Sequence, residues 1–328
     1  MGFLSILYGM IAKFRNFLYN KGILKIKKVE NVEIICIGNI TVGGTGKTPA
    51  VQYFAKKYTK EGKKVVIVSR GYKGERKVEP LIVSNGNEIL ATAKESGDEP
   101  FLHAMSLKIP VIVGKDRYEA SFLAKQEFNA DIVLLDDGFQ HRKLYRDKNI
   151  ILIDATNPFG SEMMLPKGRL REPLDGLKRA DEFIITKSDL VEDKKIIGIK
   201  EKLEKYGKKI ILAIHKPYCL YDLQRNQKSL YEIENKKVIL FSGLANPENF
   251  EKTVKIYKPK EILRMDFNDH YDFKKEDIQE AEKKLENNNY DMIIITEKDL
   301  VKFPKIIKNE NIYILRIEFE IMEEKNDK

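Results

Sequence analysis

The chain has 328 residues, of which 42% are apolar and 33% charged, and a formal net charge of +9. This excludes a disordered or fibrous protein and leaves room for a full α/β core with a second, smaller lobe. Its two cysteines, Cys36 and Cys219, each lie in an apolar run, which excludes a disulfide framework or a cysteine-based zinc cluster and suits a reducing cytoplasm.

Lysines are spread along the chain among many glutamates, with no zinc finger, RNA-binding signature or basic-aromatic repeat. Nucleic acid is therefore not an expected partner.

At the N-terminus, Phe3, Leu4, Leu7, Ile11, Phe14 and Leu18 recur at three- and four-residue steps. On a helix they draw one apolar stripe. Lys13, Arg15 and Lys21 lie on or beside the other face, followed by Lys25, Lys27 and Lys28. The run is too short and too charged to span a bilayer and lacks a small-residue cleavage site. Two readings stay open: the stripe packs on the domain, or it lies in an anionic membrane surface with cations snorkelling to headgroups.

Strand-like and helical stretches then alternate. Strands are predicted at Glu33–Ile37, Lys64–Val68, Val111–Val113, Ile132–Leu135, Asn149–Ile153, Phe183–Ile185 and Lys209–Ile214. These are continuous Val/Ile-rich runs, as in strands buried on both faces. Helices are predicted at Pro49–Thr59, Glu99–Leu107, Arg117–Phe128 and Lys194–Tyr206. The pattern predicts a doubly wound, mainly parallel sheet. A hairpin is predicted at Leu81–Leu90 from Asn85-Gly86. A smaller α/β series follows the polar segment Asp222–Lys236, and Tyr313–Phe319 is expected to pair with Leu212–Cys219 as a two-strand connector. The expected division is a helix at 1–25, a nucleotide-binding core at 26–222 and a smaller lobe at 223–328.

Strand Ile34–Ile37 runs into Gly38-Asn39-Ile40-Thr41-Val42-Gly43-Gly44-Thr45-Gly46-Lys47-Thr48 and then a helix. This is the context of a phosphate-binding loop, in which backbone N–H groups and the helix N-terminus face phosphate oxygens. Lys47 would reach the β- and γ-phosphates and the Thr48 hydroxyl would bind Mg²⁺. Thr41 stands where the strict pattern has glycine, so the match is to the Gly43–Thr48 core.

Polar clusters follow at successive strand ends. Ser69–Tyr72 offers Arg70 as a substrate contact. In Ser96–Pro100, Asp98 and Glu99 are candidates for the carboxylate that accepts a hydroxyl proton, although Ser96 or Asp98 could instead cap the helix. Lys115–Tyr118 offers Arg117 for charge on a transferring phosphoryl group. Asp136-Asp137-Gly138-Phe139-Gln140-His141 empties from a strand end into the ligand crevice of such a sheet. One of its acids would complete the Mg²⁺ shell, and His141 is a metal or phosphate contact candidate. In the second lobe, His270 is flanked by Asp269 and Asp272 and could pair with a carboxylate. Thr186-Lys187-Ser188-Asp189 looks like a guanine-reading motif, but no coherent pair of switch segments accompanies it. Val42 stands where partitioning ATPases have an extra lysine.

With Gly38-Asn39, Gly43–Thr48, Ser69–Tyr72, Gly97–Pro100, Asp116-Arg117-Tyr118, Asp136–Arg142, Leu165-Pro166, Leu170–Pro173 and Asp269-His270-Tyr271 in this order, the sequence resembles the tetraacyldisaccharide 4′-kinase family over nearly its whole length. The resemblance implies γ-phosphate transfer from ATP to the 4′-hydroxyl of a tetraacylated glucosamine disaccharide 1-phosphate, with ATP and Mg²⁺ as cofactors. It implies Asp98 as base, with His270 completing a dyad. Thr48, Glu99, Asp137 and His141 would surround Mg²⁺, with Asp136 and Gln140 close by. Arg117 would stabilise the phosphoryl group, and Arg171 would face the glycolipid, as would Gln140 and Arg70. It also implies a monomer at the cytoplasmic face of the inner membrane, which favours the interfacial reading of the N-terminal helix. The alternatives are a P-loop GTPase or metallochaperone, and a membrane-associated ATP-binding sensor without phosphotransfer.

Overall fold

The computed structural model describes residues 2–244, 247–269, 271–287, 289–303 and 309–322. The chain forms two compact units, Met1–His215 with Phe319–Lys328, and Lys216–Glu318.

The first unit begins with helix α1 (Phe3–Asn20) and continues through β1 (Glu33–Gly38), α2 (Lys47–Lys60), β2 (Val65–Ser69), β3 (Leu81–Asn85), α3 (Ala93–Ser96), α4 (Asp98–Ser106), β4 (Pro110–Val113), α5 (Arg117–Phe128), β5 (Ile132–Asp136), β6 (Lys148–Asp154), β7 (Glu182–Thr186), α6 (Asp193–Glu204) and β8 (Lys209–Asp222). The strand order is β3-β4-β2-β5-β1-β6-β7-β8. All these pairs are parallel except β3–β4. The chain leaves β1 for β2 on one side and later returns to β6 on the other, so β1 ends at a topological switch point, where such sheets bind ligands.

Every residue of β2, β5 and β7 is buried, and in β1 all but Glu33. Burial on both faces is why these strands read as unbroken apolar runs. Ile34 and Cys36 enter one core cluster with Ala120 and Ala124 of α5. Ile35 and Ile37 enter the other with Ala50, Val51 and Phe54 of α2. Burial of each large apolar side chain stabilises the fold by ~1.5–3 kcal/mol. Both cysteines are buried free thiols.

The hairpin signal at Asn85-Gly86 yields a small turn: Asn85 Oδ1 accepts from Asn87 N and Glu88 N, and Leu90 N donates to Val83 O. The principal partner of β3 is nevertheless β4. Helix α1 buries Ser5, Gly9 and Ala12. The apolar stripe is not the packed face: Phe3, Leu4, Leu7, Ile11 and Phe14 are exposed. Small residues at i, i+4 and i+7 let the backbone of α1 lie close to the 163–171 segment, where Ser5 Oγ accepts from Lys167 N at 3.1 Å. Among the described residues no helix is long and apolar enough to cross a membrane.

The second unit holds the end of β8, then β9 (Gln227–Lys228), β10 (Lys237–Ser242), α7 (Pro247–Lys255), β11 (Glu261–Asp266), α8 (Lys275–Asn287), β12 (Met292–Thr296), α9 (Glu297–Leu300) and β13 (Ile312–Met322). Strands β11-β10-β12-β13 are parallel. Strands β8 and β13 are neighbours in the order, as expected of the connector, and both cross the unit boundary. Phe241, Phe273, Ile278 and Ile293 fill one core cluster, with Val238, Leu240, Phe250 and Ile294 in another. His270 lies outside the described residues.

Candidate active site

The loop from β1 to α2 is held one carbonyl at a time, from outside and by two of its own residues. Gln140 Nε2 donates to Asn39 O (2.8 Å), Arg171 N to Ile40 O (2.8 Å), and Asn39 Nδ2 to Thr41 O (2.8 Å). Arg169 Nε donates to Val42 O (3.0 Å), Thr45 N to Gly43 O (3.0 Å), Lys187 Nζ to Gly44 O (2.7 Å) and Thr186 Oγ1 to Thr45 O (3.0 Å). With all seven carbonyls bound, the N–H groups of Gly44, Gly46, Lys47 and Thr48 have no acceptor among the described residues. Helix α2 likewise has no side-chain cap. Such a set of aligned, unsatisfied donors at a helix start is an anion cradle.

Gly43 (φ 115°) and Gly46 (φ 85°) adopt backbone conformations that side chains rarely take. A Cβ on Gly43 would overlap the Arg169 guanidinium, and one on Gly46 the His215 imidazole. His215 packs on Phe319 at 5.9 Å between ring centroids, and its Nε2 is buried without a hydrogen-bond partner among the described residues. Burial, then the nearby Lys187 charge, pushes it down to about 4, so the ring is neutral at pH 7.

Lys47 is buried. Its Nζ lies 3.5 Å from Asn39 Oδ1 and 3.9 Å from Asp137 Oδ1. Burial pushes the Asp137 carboxyl up, but Lys47 and Arg171 outweigh it and hold the group below the usual carboxylate range. Arg171 Nη1 donates to both Asp137 oxygens, at 2.8 and 2.7 Å. The buried Asp136 is paired through Oδ2 with His103 Nε2 at 3.2 Å, while its Oδ1 has no partner among the described residues.

His141 Nε2 is also buried without a hydrogen bond among the described residues, 4.0 Å from Asp116 Oδ1. Burial, then Arg117, lowers its pKa to about 4, leaving a neutral ring with a lone pair available. Arg117 is buried, with Nη1 donating to Lys115 O at 3.0 Å. Burial and then Arg70 bring it down to about 10, still cationic at neutral pH. Arg70 is exposed just beyond β2.

A family model described as tetraacyldisaccharide-1-P 4′-kinase matches residues 1–328. A tetraacyldisaccharide 4′-kinase of Halothermothrix orenii is 38% identical over 98% of this chain and 88% of its own length. One of Elusimicrobium minutum is 36% identical over 93% and 83%. The crystal structure of the Aquifex aeolicus protein in complex with ATP superposes with a TM-score of 0.77 at 35% identity, covering 97% of this chain and 93% of that one. The chain belongs to the tetraacyldisaccharide-1-P 4′-kinase family.

Within this kinase-family chain, Asp98 and Glu99 occupy the first turn of α4, whose N-cap is Gly97 with no side-chain cap bond. Ser96 donates to Thr92 O instead, so neither Ser96 nor Asp98 serves as the helix cap. Thr48, in the first turn of α2, follows the lysine that faces Asp137. Gln140 is a brace: besides Asn39 O it donates to Glu172 Oε1 at 2.9 Å. Glu172 is fully buried and also takes Arg179 as an ion partner.

No group of three or more His, Cys, Asp or Glu close enough to hold a metal occurs among the described residues. Mg²⁺ does not need one, because it keeps waters and phosphate oxygens and takes one or two protein carboxylates. The ionised Asp137 and the unpartnered Asp136 Oδ1 are donors of the right kind.

Several structural contributors were not singled out from sequence as site residues. His103 backs Asp136 across 33 residues, and Glu172 anchors Gln140. The Thr186–Asp189 segment had one signal, its likeness to a guanine-reading motif. In the structure Thr186 and Lys187 bind loop carbonyls, and Lys187 Nζ also lies 2.5 Å from Asp154 Oδ2.

Proposed function

We infer that this chain transfers the γ-phosphate of ATP to the 4′-hydroxyl of a tetraacylated glucosamine disaccharide 1-phosphate, working from the cytoplasmic face of the inner membrane. The observation that carries the reading is the carbonyl-clamped cradle ahead of Lys47, in a chain matched end to end by the kinase family. That a family member was crystallised with ATP supports ATP as donor.

The 4′-oxygen attacks the γ-phosphorus as its proton passes to Asp98. The bond from that phosphorus to the β,γ-bridging oxygen breaks, and ADP leaves. Lys47 and the loop N–H groups hold the phosphates, and Arg117 offsets negative charge on the moving group. Mg²⁺ would be held by Thr48 and Asp137, with Glu99, Asp136 and His141 alongside, and would neutralise phosphate charge. His270 as dyad partner of Asp98 rests on the family resemblance alone, as do Arg70, Gln140 and Arg171 as glycolipid contacts.

A membrane role for α1 is supported by its exposed Phe3, Leu4, Ile11 and Phe14. The helix is tied to the site, since Tyr8 Oη donates to Arg171 O (3.0 Å) and Asn16 Nδ2 to Glu172 Oε2 (3.4 Å). An anionic lipid surface suits an apolar stripe with Lys13, Lys21 and Lys25 beside it.

Incubation of the purified chain with γ-labelled ATP and the purified disaccharide lipid tests the reaction. The expected result is label on the lipid, matched by ADP formed. ATP turnover with unlabelled lipid, or GTP outcompeting ATP, would overturn the reading.

A further inference from the structure

The segment that flanks the cradle carries two arginines of different character. Arg169 and Arg171 stand on either side of the buried Leu170, which bridges antiparallel to Thr41. Arg171 is committed to Asp137.

Arg169 has no acid. Its backbone pairs with the loop through Val42 N to Arg169 O at 2.8 Å, and its Nε donates to Val42 O at 3.0 Å. Beyond Nε, its guanidinium has no acceptor among the described residues, and no Asp or Glu lies within ion-pair reach. The other cations around the loop have acceptors: Lys47 faces Asp137, Lys187 holds Asp154, and Arg179 holds Glu172.

The uncommitted end of Arg169 lies against the Cα of Gly43, so close that any side chain there would displace it. The cradle thus has a planar, permanently charged donor fork at its rim, four residues before Lys47, with four N–H groups unused. Carboxylate and phosphate are the groups that such a fork binds bidentately. The described residues supply it no carboxylate, and the adjacent loop is built for phosphate.

We propose that Arg169 contacts the terminal phosphate of the bound nucleoside triphosphate and offsets its charge during transfer, acting in cis as an arginine finger. It is distinct from Arg117, which reaches the site from the N-terminus of α5. The proposal rests on reading the site as a kinase's, and one arm of its test does not.

In the first arm, affinities for ADP and for a non-hydrolysable ATP analogue are measured by calorimetry on the full chain. The wild-type preference for the triphosphate is expected to shrink by ~10-fold or more in R169A and less in R169K, which keeps charge but not the fork. An unchanged preference would overturn the proposal whether or not the chain is a kinase.

In the second arm, R169A is expected to lower kcat on the order of 10²–10³-fold, with KM for ATP moving far less, and added guanidinium should restore part of the loss. A merely structural brace at Val42 would instead lower thermal stability and weaken ADP and the ATP analogue equally, without rescue, and that result would also overturn the proposal. Absence of phosphate transfer by the wild type would refute the kinase reading and leave the binding arm to decide on Arg169.

Discussion

Lys187 grips the phosphate loop from behind, with its Nζ 2.7 Å from Gly44 O and 2.5 Å from Asp154 Oδ2. The ion pair is largely buried, at 13% and 12% side-chain exposure. Burial pushes the Asp154 carboxyl up, yet Lys187 more than offsets it and holds the group below the usual range.

Removing the ammonium leaves a buried carboxylate without its counter-charge, held by Thr156 alone among the described residues, and a loop carbonyl without its donor. Lys187→Met is therefore expected to weaken nucleotide binding ~10-fold and to destabilise the fold by about 3 kcal/mol. Calorimetric titration with ADP and a urea melt check the two effects. Because Lys187 acts on the loop and not on the terminal phosphate, its loss should weaken ADP and ATP alike. A selective loss of ATP would contradict that assignment.

The strands of the first unit were legible because burial on both faces leaves unbroken Val/Ile runs, and helix Arg117–Phe128 has the limits its pattern predicts. Strand β8 was not legible as one element. The sequence predicts a strand to Ile214 and, separately, a connector strand Leu212–Cys219, whereas one strand runs from Lys209 to Asp222, because a proline beside exposed charge reads as a break. The cradle was visible in Gly43–Thr48, but its supports were not. His103 to Asp136, Gln140 to Asn39 and Thr186 to Thr45 are contacts across 33, 101 and 141 residues, and no local spacing reports them. The N-terminal helix was legible as amphipathic, but not which face packs. Ser5, Gly9 and Ala12 decide that by being small.

His215 predicts a pH dependence. Its pKa is lowered in the fold from 6.5 to about 4 by burial and then by Lys187. A buried neutral histidine binds fewer protons than the unfolded chain, so its stabilising effect is present above pH 6.5 and is lost as pH falls toward 4. By pH 4.5 the loss amounts to about 2 kcal/mol. Asp137 and Asp154 have depressed values and act in the same sense, but below the ordinary carboxylate range. Urea melts at pH 7 and pH 4.5 should show a smaller difference for His215→Gln than for the wild type, and equal differences would contradict the assignment.

Asp98 predicts a separation of chemistry from binding. A base that takes the acceptor proton contributes ~10²–10⁴-fold to the rate, and its loss leaves the cradle intact. Asp98→Asn and His270→Ala should each lower kcat by that order while ATP binding stays within ~3-fold of wild type. Single-turnover transfer of labelled phosphate, run beside calorimetric ATP titration, reads both. Near wild-type turnover in either variant would remove that residue from the catalytic set.

Helix α1 offers the opposite separation, of membrane association from fold. Ile11 and Phe14 are 60% and 63% exposed, so a charge at either meets solvent and breaks no packing. On a lipid surface the same change puts a carboxylate where an apolar group would be buried. Ile11→Glu with Phe14→Glu should weaken flotation with anionic vesicles by ~10-fold or more while shifting the melting temperature by no more than about 2 °C. Activity on detergent-dispersed lipid should hold, and activity on vesicle-embedded lipid should fall. If both activities hold and flotation is undiminished, the exposed stripe is not what brings this kinase to its substrate.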